Sequence, residues 1–131
     1  QGARLLTGGK RNGAQFEPTV LADVKPDMRI ACDEVFGPVV GVRKFTDIGE
    51  VFQRVSASRF GLQCGIFTKS LELAMRAVRE IRTGGVILNG SSTWRTDQLA
   101  YGGVKDSGIG REGPKYAIRD MTEERLVVFN L

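Results

Sequence analysis

Apolar runs that alternate with helically spaced apolar positions dominate residues 39–89. The runs at 39–45, 64–68 and 86–89 predict three strands. Asp47 and Ser70 stand where helix N-caps are expected, and apolar residues follow each of them at helical intervals. Strands and helices that alternate with short links are typical of a parallel sheet with right-handed crossovers. The pattern therefore predicts the α/β class, with a parallel βαβαβ arrangement.

The regions on either side have weaker patterns. Residues 5–6 and 17–21 predict short extended segments, and residues 28–32 predict another after a turn at Pro26 and Asp27. Residues 91–113 predict a long irregular loop, and Pro114 suits the first turn of a short helix that ends near Met121. Residues 126–131 alternate weakly, which predicts a final strand at a sheet edge, where another chain can pair with it.

Composition narrows the class of protein. The chain has 131 residues, of which 41% are apolar and 26% charged, as expected of one folded domain or a piece of one. The net charge of +4 comes from cations scattered among 15 acidic residues, which favours a mixed solvated surface over a nucleic-acid interface. No apolar run is long enough to cross a membrane, so we expect no membrane partner. The absence of histidine excludes a His base and His-bound zinc within these residues.

The two cysteines, Cys32 and Cys64, have neither metal-site spacing nor the pattern of a disulfide framework. Both reduced, in a cytoplasmic compartment, is the simplest interpretation. Cys64 is the first residue of an apolar strand and has no electropositive surroundings of the kind that activate a thiolate. We therefore interpret both thiols as buried and inert.

Two separated motifs carry a family resemblance. Asp33-Glu34-Val35-Phe36-Gly37-Pro38 is a turn that feeds a strand, and Tyr101-Gly102-Gly103-Val104-Lys105-Asp106-Ser107-Gly108-Ile109-Gly110-Arg111-Glu112-Gly113 follows far downstream. In this order the two blocks resemble the C-terminal part of the NAD(P)-dependent aldehyde dehydrogenases. The resemblance implies the three-layer catalytic domain of that family, an aldehyde substrate, NAD or NADP as cofactor, and a thioester on a cysteine that this chain lacks.

The resemblance implies a cofactor contact at the first motif. Glu34 would meet the hydroxyls of the nicotinamide ribose, since a carboxylate offers two acceptor oxygens. Phe36 would lie beside the nicotinamide ring and hold it towards the substrate. The alternative from the residues alone is a solvent-exposed acid beside a core phenylalanine.

The loop before the second motif would line the substrate funnel. Trp94 and Tyr101 are candidates for an apolar wall, and Arg95 for binding an anionic group at the far end of the aldehyde. The alternative is that Arg95 pairs with Asp97 or is merely solvated. Ala100 departs from the family pattern, which usually has proline there, so the path of the loop stays open.

The segment Gly108-Ile109-Gly110-Arg111-Glu112-Gly113 matches G-x-G-x-x-G but is not a dinucleotide fingerprint. It lacks the preceding buried strand, the long helix and the later acidic residue that phosphate binding needs. We interpret its glycines as sites of close backbone packing, with Arg111 and Glu112 as a local ion pair or a helix-start anchor. Asn89, at a strand end, is expected to tie down the adjoining loop.

The resemblance implies a division into residues 1–121, part of the catalytic domain, and residues 122–131, a terminal strand that joins subunits into a homo-oligomer. Two other functions stay open: a non-catalytic α/β assembly module, and an independent small-ligand-binding domain. Without a nucleophile or a dinucleotide domain, the isolated chain is expected to be inactive.

Overall fold

The computed structural model describes all residues from Gln1 to Leu131 and divides the chain into two compact units, residues 1–48 and 49–131. No helix in either unit has the length and apolarity needed to cross a membrane.

The first unit is built on a three-stranded sheet with a separate hairpin. Its elements are β1 (Arg4–Thr7), β2 (Arg11–Asn12), β3 (Gln15–Phe16), β4 (Thr19–Ala22), α1 (Arg29–Cys32) and β5 (Val39–Gly41). Strand β4 is central, antiparallel to β1 and parallel to β5, and β2 pairs with β3. Ala22, Val24 and Met28 form its small apolar core.

Residues 29–32 are helical and Met28 is their N-cap, so the extended segment predicted at 28–32 is wrong. Met28 is 2% exposed, and its sulfur accepts a hydrogen bond from the Lys25 amide at 3.3 Å. The short helix α1 follows, and Arg29 pairs with Asp33 at 3.2 Å across one helical turn. Burial of the methionine and this i, i+4 pair outweigh the strand tendency of a short apolar run.

The second unit contains the predicted alternation of strands and helices. Its elements are α2 (Ile48–Ala57), β6 (Phe60–Gly61), β7 (Gln63–Ile66), α3 (Leu71–Glu80), β8 (Gly85–Leu88), β9 (Val104–Lys105) and α4 (Pro114–Met121). Strands β7 and β8 are parallel and joined through α3, while β6 pairs with β9. The core consists of Phe52, Ala74, Ala77 and Ile81. The α/β class with parallel strand pairs is confirmed.

Helix α3 begins where its sequence predicts, but only part of its predicted apolar stripe (Leu71, Ala74, Met75, Val78 and Ile81) faces the core, since Met75 and Val78 are 46% and 49% exposed. The Ser70 hydroxyl accepts a hydrogen bond from the Leu73 amide at 3.2 Å, which satisfies one of the free donors of the first turn. Ala77 is fully buried on the inner face, whereas Leu71 is 76% exposed at the end of the predicted apolar stripe.

Residues 122–131 form no strand. Leu126 and Phe129 are 88% and 81% exposed, and no other strand of the chain pairs with this segment. A strand needs a neighbour to satisfy its backbone donors and acceptors. The predicted terminal strand is therefore absent from the single chain.

Candidate functional site

Glu34 and Phe36 lie in the turn between α1 and β5. The turn is fixed at its far end, where the Thr19 amide donates to the Pro38 carbonyl at 2.8 Å. Thr19 is buried, so this anchor belongs to the core of the first unit. The position of the turn is thus set by the parallel pairing of β4 with β5.

Both side chains of this turn point into solvent. Phe36 is 98% exposed, and Glu34 is exposed with no hydrogen bond or ion pair inside the chain. The alternative of a core phenylalanine is therefore wrong. An uncovered aromatic ring beside an unpaired carboxylate forms a surface with apolar and acceptor chemistry side by side.

Arg95, Tyr101 and Glu112 form a cluster in the second unit. The Arg95 guanidinium carbon lies 4.4 Å from the Tyr101 ring centroid, and Arg95 Nη1 lies 3.5 Å from Glu112 Oε2. Tyr101 and Glu112 exchange backbone hydrogen bonds of 3.2 and 2.6 Å, which fix the ring and the carboxylate next to each other. Arg95 is thus oriented by two partners, and neither is Asp97.

Trp94 is half-exposed at the start of the same loop. Its amide donates to the Ser91 carbonyl at 3.0 Å, and its own carbonyl accepts from Gln63 Nε2 at 3.1 Å. Gln63 belongs to β7, so the loop is tied to the end of the sheet. Asn89 does not tie down this loop, so that expectation is wrong; its Oδ1 instead accepts from the Thr68 amide at 2.8 Å, in the link between β7 and α3.

The second half of the loop is firmly anchored. Lys105 Nζ donates to the carbonyl oxygens of Ser56 and Ser58 at 3.0 and 2.7 Å, and the Ser107 hydroxyl accepts from the Gly61 amide at 2.9 Å. Arg111 donates to the Gly103 carbonyl at 3.0 Å. Arg111 and Glu112 therefore do not pair with each other, in contrast to one of the sequence-based expectations.

The interpretation of the glycines in residues 108–113 as sites of close packing holds only for Gly113, where an added Cβ atom would lie 3.2 Å from the Leu99 carbonyl oxygen. It is wrong for Gly108, with nothing within 4 Å, and for Gly110, with only Asp120 Oδ2 at 3.9 Å; their positive φ values of 131° and 77° explain the glycines instead. Close packing is found at the first glycines of the second motif. A Cβ atom on Gly103 would lie 2.5 Å from Ser107 Cβ, and one on Gly102 would lie 2.7 Å from the Gly110 carbonyl oxygen. No helix N-terminus of the dinucleotide type follows, because α4 is eight residues long and begins at Pro114.

The cysteines differ from each other. Cys64 is half-buried, and burial raises the pKa of its thiol, so little thiolate forms at neutral pH. Cys32 is exposed, which corrects the expectation of two buried thiols, and its Sγ donates to the Pro26 carbonyl at 3.0 Å. Neither thiol forms a disulfide.

Two residues of the site were missed from the sequence. Glu112 and Gln63 contact Arg95 and Trp94 respectively, but they lie 17 and 31 positions away along the chain. The antiparallel bridge between Tyr101 and Glu112 brings Glu112 close to Arg95, and no local sequence pattern indicates that bridge.

Comparison with known proteins gives one consistent family. The sequence model of the aldehyde dehydrogenase family matches residues 1–127. The 3-sulfolactaldehyde dehydrogenase of Priestia aryabhattai is 52% identical over 131 residues, which cover 100% of this chain and 28% of that protein. The lactaldehyde dehydrogenase of Methanococcus aeolicus is 38% identical over 130 residues, 99% of this chain and 28% of that protein.

Solved structures agree. Aldehyde dehydrogenase 21 from Physcomitrella patens, in complex with its reaction product succinate, superimposes with a TM-score of 0.89 at 50% identity over 93% of this chain and 25% of that one. The NADP-dependent glyceraldehyde-3-phosphate dehydrogenase from Bacillus halodurans, complexed with NADP, gives a TM-score of 0.93 at 40% identity over 99% and 27%. The chain thus spans little more than a quarter of the length of these relatives.

Proposed function

Because this chain belongs to the aldehyde dehydrogenase family, we propose that the protein containing it oxidises an aldehyde to a carboxylic acid with NAD or NADP. The main support for this proposal is the match of residues 1–127 to the family's sequence model, together with the exposed side chains of Glu34 and Phe36. In the net reaction the aldehyde carbon loses a hydride and gains the oxygen of water, and two protons are released as the carboxylate forms.

The turn that carries Glu34 and Phe36 fits a nicotinamide nucleotide. A carboxylate without an internal partner matches the vicinal hydroxyls of a ribose, and an exposed aromatic ring matches the face of a nicotinamide. When bound, the cofactor accepts the hydride. The task of this chain is to orient it, with Glu34 holding the sugar and Phe36 limiting rotation of the ring.

Replacing Glu34 in the full-length protein tests this role. Glu34→Gln keeps the shape but removes the charge-assisted hydrogen bonds, so kcat/KM for the cofactor should fall roughly 10- to 100-fold. Glu72→Gln is the control, since Glu72 is an exposed acid on α3. Unchanged kinetics in Glu34→Gln would refute the cofactor contact.

We propose that the reactive thiol comes from outside these 131 residues. Cys64 is disfavoured because burial raises its pKa, and Cys32 sits at the end of α1 with its Sγ bound to a carbonyl. The isolated chain should therefore show no dehydrogenase turnover, and Cys64→Ser should leave the activity of the full-length protein unchanged. Thiol-dependent turnover by the isolated chain would overturn this assignment.

The substrate is proposed to be an aldehyde with an anionic group at its far end. Arg95 is held over Tyr101, its guanidinium offers five N–H donors, and the loop engages them with one ion pair only. Trp94 supplies exposed apolar surface on the same loop. The names of three relatives point the same way, because 3-sulfolactaldehyde, succinate and glyceraldehyde 3-phosphate carry an acidic group, whereas the lactaldehyde named for the Methanococcus aeolicus relative does not.

Two aldehydes of equal chain length, one acidic and one neutral, test whether Arg95 binds the anionic group of the substrate. Arg95→Gln should reduce kcat/KM for succinate semialdehyde by roughly 10- to 100-fold and that for butanal less than about threefold. Equal losses on both would refute anion recognition, while leaving the cofactor contact untouched.

Assembly through the C-terminus is the second proposed function. Val128 and Phe129 are 67% and 81% exposed without a partner strand, and extended apolar segments gain backbone hydrogen bonds by joining another sheet. We propose that residues 122–131 join subunits of a homo-oligomer, separate from residues 1–121, in a reducing cytoplasm. Val128→Lys should dissociate the oligomer in light scattering, and an unchanged mass would refute the assignment.

A further inference from the structure

We propose that Glu112 is a specificity-determining residue that sets the anion selectivity of Arg95 by acting as a displaceable internal counter-ion. The inference rests on the proposed anionic substrate and deepens it. Before substrate binds, Arg95 is paired with Glu112. When an acidic substrate binds, its anionic group takes the place of the Glu112 carboxylate on Arg95.

The geometry makes the pair weak. Arg95 Nη1 and Glu112 Oε2 are 3.5 Å apart, beyond the 2.7–2.9 Å typical of a charge-assisted hydrogen bond. The two side chains are 44% and 67% exposed, and exposed ion pairs of this kind contribute little because water screens them. A carboxylate, sulfonate or phosphate that reaches the guanidinium in a bidentate geometry therefore competes successfully for it.

The stack on Tyr101 keeps the arginine in place during this exchange. The guanidinium carbon lies 4.4 Å from the ring centroid, an interaction that does not use the N–H donors at the edge of the guanidinium plane. Loss of the Glu112 carboxylate thus leaves Arg95 oriented and able to bind an anion.

The position of Glu112 is independent of its side-chain charge. Its backbone exchanges two hydrogen bonds with Tyr101, of 2.6 and 3.2 Å. A Glu112→Gln variant keeps this bridge and changes only the counter-ion. The effect of the Glu112 charge can therefore be measured without changing the backbone of the loop.

Glu112 has two consequences for selectivity. It neutralises Arg95 when no acidic substrate is bound, and a neutral aldehyde, which does not compete for the guanidinium, binds almost independently of the pair. It also reduces the affinity for every anion by the free energy needed to break the pair, so that only anions with a good bidentate fit bind.

The test uses the full-length protein with succinate semialdehyde, butanal, and succinate as a competitive inhibitor. Glu112→Gln should lower KM for the semialdehyde and the inhibition constant of succinate by about two- to fivefold, the ratio that corresponds to an exposed ion pair. KM for butanal should change less than about twofold. Glu112→Asp retains the charge and should keep the selectivity ratio close to that of the unmodified protein.

Asp97→Asn is the matched control. Asp97 is an exposed acid on the same loop without an ion pair, so its removal changes the local charge equally but breaks no contact with Arg95. The proposal is overturned if Glu112→Gln strengthens anion binding no more than Asp97→Asn does, or if kcat falls on both aldehydes with no change in the KM ratio. If Arg95→Gln kept its preference for the acidic aldehyde, the proposed anionic substrate itself would be refuted. Failure of the Glu112 proposal and failure of the substrate proposal therefore give different results.

Discussion

The ammonium group of Lys105 lies 2.7 Å from the carbonyl oxygen of Ser58, immediately beyond the C-terminal end of α2. It also donates to the Ser56 carbonyl at 3.0 Å. Lys105 adopts a φ of 58°, a conformation that is unfavourable for a residue with a Cβ atom. The cation is thus aimed at a helix end whose carbonyls lack helical partners and carry partial negative charge.

Lys105→Met is expected to loosen the link between α2 and β9. The variant keeps the apolar stem but leaves two carbonyl oxygens without their donor, at a cost of about 1–2 kcal/mol. Hydrogen exchange followed by mass spectrometry should show faster exchange in peptides that span residues 54–61 and 103–108. Lys115→Met, an exposed lysine on α4, should leave both peptides unchanged, and equal effects of the two variants would contradict this role.

Gly84→Ala is expected to destabilise the fold strongly. A Cβ atom there would overlap the Gly102 carbonyl oxygen and would lie 3.0 Å from that of Leu62, so the backbone itself would have to move. Overpacking of this kind costs about 1–3 kcal/mol or more. Thermal unfolding should show a lowered midpoint or a loss of soluble protein. Gly37→Ala is the control because nothing lies within 4 Å of its added Cβ, and it should unfold like the unmodified protein.

The two thiols are expected to alkylate at different rates. Burial raises the pKa of Cys64, so at neutral pH it holds less thiolate than an exposed cysteine does and should react more slowly than Cys32. Because the folded-state pKa is raised, the folded form binds this proton more tightly. The resulting stabilisation is present below the unfolded pKa and is lost as pH rises through the folded value.

Peptide mass mapping after timed exposure to iodoacetamide follows each cysteine separately in the full-length protein. The Cys64 peptide should lag at pH 7 and accelerate only at higher pH. Faster labelling of Cys64 than of Cys32 at pH 7 would contradict the burial argument.

Phe52→Ala is expected to cost about 3–5 kcal/mol, because Phe52 is 2% exposed and is the largest fully buried side chain of the protein. Arg76 also lies over its ring at 5.4 Å and would lose this contact. Phe52→Leu should recover more than half of the lost stability in the same thermal unfolding experiment. A cost below about 1 kcal/mol for Phe52→Ala would contradict its place in the core.

Sequence patterns correctly predicted those parts of the fold that depend on contacts between residues close in sequence. Ser70 caps α3 and Pro114 begins α4, because each acts through contacts within one helical turn. The parallel pair β7 and β8 followed from two apolar runs on either side of a helical pattern.

Non-local contacts explain what the sequence did not predict. Phe60 pairs with Lys105 across 45 positions in the two-stranded ladder of β6 and β9, and neither segment has a strand pattern of its own. For the candidate site, Arg95 was singled out by its chemistry, and Asp97 was considered as an alternative partner because it lies close in sequence. The bridge between Tyr101 and Glu112 decides the partner instead. The functional roles of Glu34, Phe36, Trp94, Arg95 and Tyr101 stay predictions.

The bonds that hold the loop from Ser91 to Gly113 are unevenly distributed along it, and this bears on protein engineering. Lys105, Ser107 and Arg111 fasten its second half to the rest of the unit, while residues 97–100 are exposed and make few bonds. Substitutions at positions 97–100 should therefore cost little stability, whereas substitution of Lys105, Ser107 or Arg111 removes bonds that hold the loop. Positions 97–100 are thus the stretch to randomise first in directed evolution, because the bonds that hold the rest of the loop stay intact.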